Sequence, residues 1–217
     1  MCQYGVKTLL AILPSGGGAL VSFVLTEKKI PFEVVTIDLE AKEHKAPEFR
    51  ALHPFGQLPV LDEDGFILYE ARAICRYIEE KYADQCTSLL PKGLKERALV
   101  EQAVSAELAN FLPHAMKAAH EVTGQSPRGL NADQTVVDEA VAALAATLDV
   151  YEVLLGKHRF IAGDEFTLAD VFHYAYAPLL AENGVDVMTK NGPNWNEVIS
   201  YPTWRKLKAE GIKGTVI

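Results

Sequence analysis

Leu58-Pro59-Val60-Leu61, Asp62-Glu63-Asp64-Gly65 and Phe66-Ile67-Leu68-Tyr69 adjoin one another without a gap. Two short apolar runs around an acidic tetrad that ends in glycine predict a β-hairpin, because glycine supplies the backbone freedom a tight turn needs. Upstream, Thr8 to Leu13 is a compact apolar run suited to a buried strand. Ala19 to Lys29 sets Leu20, Phe23 and Val24 at helical spacing and ends in cations that suit a helix C-terminus. Phe32 to Leu39 alternates and is β-branched at Val34, Val35, Thr36 and Ile37, the pattern of a strand. Strand, helix, strand is a crossover unit whose two strands run parallel. A short helix around Pro47 to Leu52 leads into the hairpin. Glu70 to Tyr82 then places Ala73, Ile74, Tyr77 and Ile78 on one helical face. The order is βαβ followed by ββα.

Beyond Tyr82 the rhythm changes. Residues 84–92 read as a linker, with Pro91 and Gly93 at its end, and the remainder of the chain has helical periods only. Leu94 to Val122 is one long segment, bent or broken near Pro113. Asp133 to Leu155 is a second, with Val137, Val141, Leu144, Leu148 and Tyr151 on one stripe. Thr167-Leu168-Ala169-Asp170 is a capping box that opens a third helix, with Phe166 placed to staple onto Val171. The fold class expected is therefore α/β plus all-α: a small βαβ-ββα domain over residues 1–83, the linker 84–92, and an all-helical domain over residues 93–217.

The chain has 217 residues, 49% of them hydrophobic and 23% charged, which is ordinary globular composition and excludes a disordered or collagen-like chain. Lys plus Arg number 21 against 29 Asp plus Glu, a formal net charge of −8. With no dense Lys/Arg stretch, nucleic acid is excluded as a partner. The run Leu9 to Leu13 stops at Pro14, and neither it nor Ala19 to Leu25 approaches the roughly 18 apolar residues that span a bilayer. Cys2, Cys75 and Cys86 are too few for a disulfide framework and lack metal-ligand spacing. His114 and His120, six apart, do not share a helical face, so no metal is expected. These features predict a cytoplasmic protein that meets neither membrane nor nucleic acid.

Three stretches can carry chemistry. In His53-Pro54-Phe55-Gly56-Gln57-Leu58-Pro59, a cis Leu58–Pro59 bond would free the Leu58 backbone to pair with a peptide-like ligand. By frequency alone, about one X–Pro bond in twenty, a trans proline on an edge strand is the expectation. Pro14-Ser15-Gly16-Gly17-Gly18 joins strand to helix. The helix start favours an anion there, and Ser15 either caps the helix or donates its hydroxyl to a bound thiolate. The glycines match neither a dinucleotide fingerprint nor a P-loop. Glu70, at the strand-to-helix junction Tyr69-Glu70-Ala71-Arg72, either complements the helix dipole or captures a ligand ammonium group.

Taken in order, Pro14-Ser15, Glu43-His44-Lys45, Pro54-Phe55-Gly56-Gln57-Leu58-Pro59, Glu70-Ala71-Arg72-Ala73-Ile74 and Thr167-Leu168-Ala169-Asp170-Val171 resemble the cytosolic glutathione transferases. Within them the chain is most similar to the phi class of plants and fungi. The resemblance spans nearly the whole chain. It implies a thioredoxin-like first domain that holds glutathione as co-substrate, without a metal, and a helical domain that supplies a pocket for a hydrophobic electrophile or hydroperoxide. Ser15 matches the catalytic serine. His44 and Lys45 match the contacts to the glycyl carboxylate, Gln57, Leu58 and Pro59 those around the cysteinyl backbone, and Glu70 with Ala71 those at the γ-glutamyl end. Where the family carries serine beside that glutamate this chain has Ala71, and Gly16-Gly17-Gly18 is more flexible than the usual sequence. The resemblance also implies a homodimer with Phe55 inserted into the partner; an ordinary core aromatic is the lesser reading of that residue. Arg72 serves either the γ-glutamyl site or the subunit contact. Phe111, His114, Met116, Tyr174 and Tyr176 are candidates for the electrophile pocket. A carrier of apolar ligands, with little turnover, is the alternative function.

Overall fold

The computed structural model describes residues 7–11, 16–123, 133–187 and 193–210. It falls into two compact units, residues 1–88 with 202–217, and residues 89–201. The division lies within the expected linker. The last helix, which the sequence assigned to the helical domain, groups instead with the first unit.

In the first unit the strands are β1 (Lys7–Ala11), β2 (Glu33–Thr36), β3 (Val60–Glu63) and β4 (Phe66–Tyr69). The helices are α1 (Gly16–Glu27), α2 (Pro47–Leu52) and α3 (Ala71–Lys81), with a 3₁₀ turn at Glu43–Lys45. The sheet order is β2-β1-β3-β4: β1 pairs parallel with β2, Leu9 opposite Val34, and antiparallel with β3, Leu9 opposite Leu61. The βαβ and ββα pattern read from the sequence is thus one mixed sheet. Residues alternate across it as the pleat requires. Leu10, Val60 and Ile67 pack with Ile37, Phe49, Leu52, Leu58 and Tyr69 on the α2 side. Helix α1 packs against α3. Every residue from Gly18 to Leu25 is buried, so α1 is apolar all round, as a core helix must be. The buried stripe of α3 is Ala71, Ile74, Cys75 and Ile78, while Ala73, expected to face inward, is exposed.

Two buried charge groups fix this unit. Lys28, one of the cations expected at a helix C-terminus, has no exposed surface; its Nζ lies 2.8 Å from Glu79 and donates to the carbonyls of Gln85 and Thr87. Glu63, on β3, accepts from Lys81 at 2.7 Å, Tyr77 at 2.5 Å and Tyr82 at 3.0 Å, with Lys7 at 3.3 Å. Burial alone would push its carboxyl up, but these donors hold it at about 2, below the ordinary 4.5. The folded state therefore binds this proton less readily than the unfolded chain. The stability it lends is complete above pH 4.5 and is lost as the pH falls towards 2, up to about 3 kcal/mol. Unfolding midpoints measured from pH 7 to pH 3 should fall steeply for the native protein and much less for Glu63→Gln. Parallel curves for the two proteins would remove Glu63 from the acid response.

The closing helix α10 (Pro202–Glu210) packs on α1: Trp204 and Leu207 are buried, and Thr203 donates its hydroxyl to Glu27. Those contacts are why it belongs to the first unit despite its helical period.

The second unit contains α4 (Leu94–Ala106), α5 (Leu112–Val122), α6 (Gln134–Leu155), α7 (Leu168–Val171), α8 (Ala177–Glu182) and α9 (Pro193–Ile199). The break expected near Pro113 is a π-helical turn at Glu107–Phe111. A widened turn there accommodates a proline that lacks an N–H and crowds the preceding turn. Helix α6 buries Val137, Ala140, Leu144, Leu148 and Tyr151, and Asp133 caps it through Thr135 N–H. The capping box is present: Thr167 accepts from Ala169 N–H, while Asp170 accepts from Thr167 N–H and also from Ile161 N–H. Burial pushes Asp170 up to about 6 against the pull of these bonds. No helix among the described residues is long and apolar enough to cross a membrane.

Candidate functional site

Three element starts meet at one point of the first unit. A Cβ placed on Gly17 would lie 2.6 Å from Pro59 Cδ and 2.9 Å from Ala71 Cβ. The opening turn of α1, the proline before β3 and the first residue of α3 therefore touch, and only a residue without a side chain fits at 17. Within the run Gly16-Gly17-Gly18, the middle glycine thus has a packing reason. The Leu58–Pro59 bond is cis, against the trans form its frequency favours, and β3 lies inside the sheet rather than at its edge. The frequency averages over all surroundings; here the proline is buried against the bare Gly17 backbone.

Glu70 occupies the junction between β4 and α3 with φ 70° and ψ 107°, a conformation other residues than glycine rarely adopt. Its carboxylate makes no capping bond to α3 and is exposed to solvent. No capping bond ties the carboxylate down, so its charge both complements the start of α3 and remains available to a ligand. Ala71 is buried beside Gly17 as the first residue of α3, a position whose N–H has no partner within the helix.

His44 and Lys45 sit in the 3₁₀ turn that precedes α2. Lys45 Nζ donates to the Gly56 carbonyl at 2.7 Å and approaches that of Phe55 at 3.4 Å. An ammonium has three donors, so at least one remains for an anion. Gly56 has φ 58°, and a Cβ there would fall 2.5 Å from the His44 carbonyl oxygen. Turn 43–45 and loop 55–57 are therefore pressed together, with Gln57 exposed at their edge and Leu58 half-buried beside it. His44 is held below its ordinary pKa by burial and by the cations Lys45 and Arg50. That surrounding positive potential favours a carboxylate.

Ser15, the expected catalytic residue, lies outside the described residues; Gly16, its neighbour at the start of α1, has φ 66°. Phe55 is 67% exposed, which removes the core reading of this aromatic. In the second unit the structure corrects two pocket candidates. Phe111 is buried against Tyr151, His173 and Trp195, and Tyr174 is buried with its hydroxyl bonded to the Val198 carbonyl. Both are core, because helical spacing marks a buried face without saying what fills it. His114 and Tyr176 are half-buried and Met116 is exposed. Cys75 is buried, its thiol pushed up to about 12 by burial, and Cys86 is exposed. The sequence did not single out Gly56 or the buried His53, and it marked Gly17 only as one of three flexible glycines; the nearest signal for the other two was their place within the proline- and glycine-containing stretch 53–59.

Residues 7–80 match the family model of the glutathione S-transferase N-terminal domain, and residues 111–196 that of the C-terminal domain. The chain is 40% identical over 187 residues to glutathione S-transferase F11 of Arabidopsis thaliana, covering 83% of this chain and 87% of that one. The crystal structure of glutathione transferase F7 from Populus trichocarpa superposes with a TM-score of 0.87 at 34% identity, covering 95% of this chain and 99% of the other. A glutathione S-transferase I from maize, solved in complex with an atrazine–glutathione conjugate, superposes with a TM-score of 0.81 at 30% identity, over 94% of this chain and 96% of that one. With its thioredoxin-like first domain and helical second domain, this chain belongs to the glutathione S-transferase family, on the phi-class branch.

Proposed function

We infer that this protein joins the sulfur of glutathione to hydrophobic electrophiles, with Ser15 stabilising the thiolate. The observation that carries the reading is the meeting of Gly17, Pro59 and Ala71. It sets the opening turn of α1 beside the Leu58–Pro59 segment and beside the start of α3, the residue that follows Glu70. The ligand's cysteinyl backbone would pair with Leu58 beside Gln57 and Pro59. Its γ-glutamyl ammonium would meet Glu70 and the Ala71 N–H would take the adjoining carboxylate. The glycyl carboxylate would meet His44 and Lys45.

The chemistry needs a thiolate. A free thiol with pKa near 8.5 is only about 3% ionised at pH 7. Lowering it by roughly two units makes the thiolate the major form and requires about 2.7 kcal/mol of differential stabilisation. One hydroxyl donating to an anion supplies roughly 1.5–3 kcal/mol, and the start of α1 roughly 0.3–1 more. The thiolate then attacks the electrophilic carbon, forming the C–S bond as the leaving group departs with the electron pair. With a hydroperoxide the same thiolate attacks the distal oxygen, and a second glutathione completes the reduction to alcohol, water and glutathione disulfide. Serine is never the nucleophile, and no metal takes part.

The protein would act in the cytoplasm as a homodimer, a reading supported by the exposed Phe55 ring. A carrier of apolar ligands is the second reading, and Ala71 favours it by removing one side-chain donor to the γ-glutamyl carboxylate. Glutathione titration in the presence of an aryl halide, and separately of cumene hydroperoxide, separates the two. Saturable turnover with at least one substrate is expected. Tight glutathione or apolar-ligand binding with no turnover of either would establish the carrier instead.

A further inference from the structure

His53 adjoins the motif that carries the resemblance, yet it has no part in the contacts proposed above. Its side chain is 1% exposed, and Nδ1 has no hydrogen-bond partner among the described residues. The ring stacks on Tyr69 at 4.5 Å between centroids, 28° apart, and meets the edge of Phe55 at 6.1 Å. Its own carbonyl accepts from Gly56 N–H at 2.8 Å, closing the turn that leads to Gln57. Tyr69 immediately precedes Glu70, whose positive φ persists only if the residues on either side are held. Ala71 is held by contact at Gly17, and Tyr69 is held by His53. Burial pushes the His53 pKa down, with Glu70 pulling it up and Lys45 opposing that pull. Burial therefore favours the neutral ring.

We propose that His53 is a positioning residue for the glutathione site: its buried ring ties the loop bearing Gln57 and Leu58 to the junction bearing Glu70, and so sets the distance between the ligand's cysteinyl backbone and its γ-glutamyl end. This rests on the glutathione reading above. Because Nδ1 makes no bond, stacking is what the ring contributes, and another flat ring can replace it.

The test compares wild type, His53→Ala and His53→Phe by steady-state kinetics at saturating electrophile and by amide hydrogen exchange over residues 53–58 and 69–72. His53→Ala should raise KM for glutathione about three- to tenfold, the worth of one aromatic pair, while kcat stays within about twofold. Exchange should accelerate in both segments together. His53→Phe should bring KM and exchange back to near wild type. Unchanged KM in His53→Ala would overturn the proposal, as would a His53→Phe protein that melts like wild type yet is as impaired as His53→Ala. Wild type that fails to bind glutathione would overturn the reading of the site instead, and the exchange arm would still decide whether His53 links the two segments.

Discussion

Replacing Glu79 with alanine is expected to destabilise the first unit by about 3–5 kcal/mol, the usual cost of stranding one member of a buried ion pair. Lys28 has no exposed surface and Glu79 is 2% exposed, so water cannot take the place of the missing carboxylate. The Lys28 ammonium would keep only the carbonyls of Gln85 and Thr87. Those carbonyls belong to the segment leaving α3, the stretch that the sequence read as a linker, so that segment would be left as the ammonium's remaining partner. Denaturant unfolding checks the magnitude. The double variant Lys28→Met/Glu79→Leu should recover most of the loss, because it removes both charges and fills the space. A Glu79→Ala protein within about 0.5 kcal/mol of wild type would contradict the burial of the pair, since only surface changes are that mild.

Ser15→Ala is expected to lower kcat at pH 7 by about 4- to 25-fold, the fall in thiolate fraction, with little change in KM for glutathione. The magnitude comes from one hydroxyl bond to an anion, worth roughly 1.5–3 kcal/mol, at about 1.36 kcal/mol per pKa unit. KM would be spared because, in the proposed binding mode, the tripeptide is gripped at its two ends and its backbone, away from the sulfur. The loss should shrink as pH rises, since above the raised pKa the thiolate forms without help. A uniform loss at every pH would assign Ser15 to geometry rather than to ionisation.

Much of the fold was legible because it rests on local patterns. β-Branched alternation at Val34–Ile37, the Asp64-Gly65 turn and the capping box at Thr167–Asp170 each specify their element from neighbouring residues alone. What escaped depends on partners far away in the chain. Lys28 looks like a helix-end cation until Glu79 and the 85–87 carbonyls close around it. Trp204 and Leu207 have an ordinary helical period, and only their packing on α1 assigns them to the first unit. Phe111 and Tyr174 carry the spacing of any buried helix face, so the sequence could not separate core from pocket. For the site, the order of motifs nominated candidate residues, but the packing around Gly17 appears only where Pro59 and Ala71 approach it. His53 passed as part of a motif because stacking on Tyr69 leaves no trace in spacing.

The protein's proposed activity depends above all on one serine hydroxyl turning the glutathione thiol into a thiolate. The most direct measurement is the ultraviolet absorbance of the thiolate for glutathione bound at saturation, titrated against pH in wild type and in Ser15→Ala. A bound-thiol pKa about two units below 8.5 is predicted in wild type, returning most of the way in the variant. A wild-type value equal to that of free glutathione, or an identical value in both proteins, would contradict it.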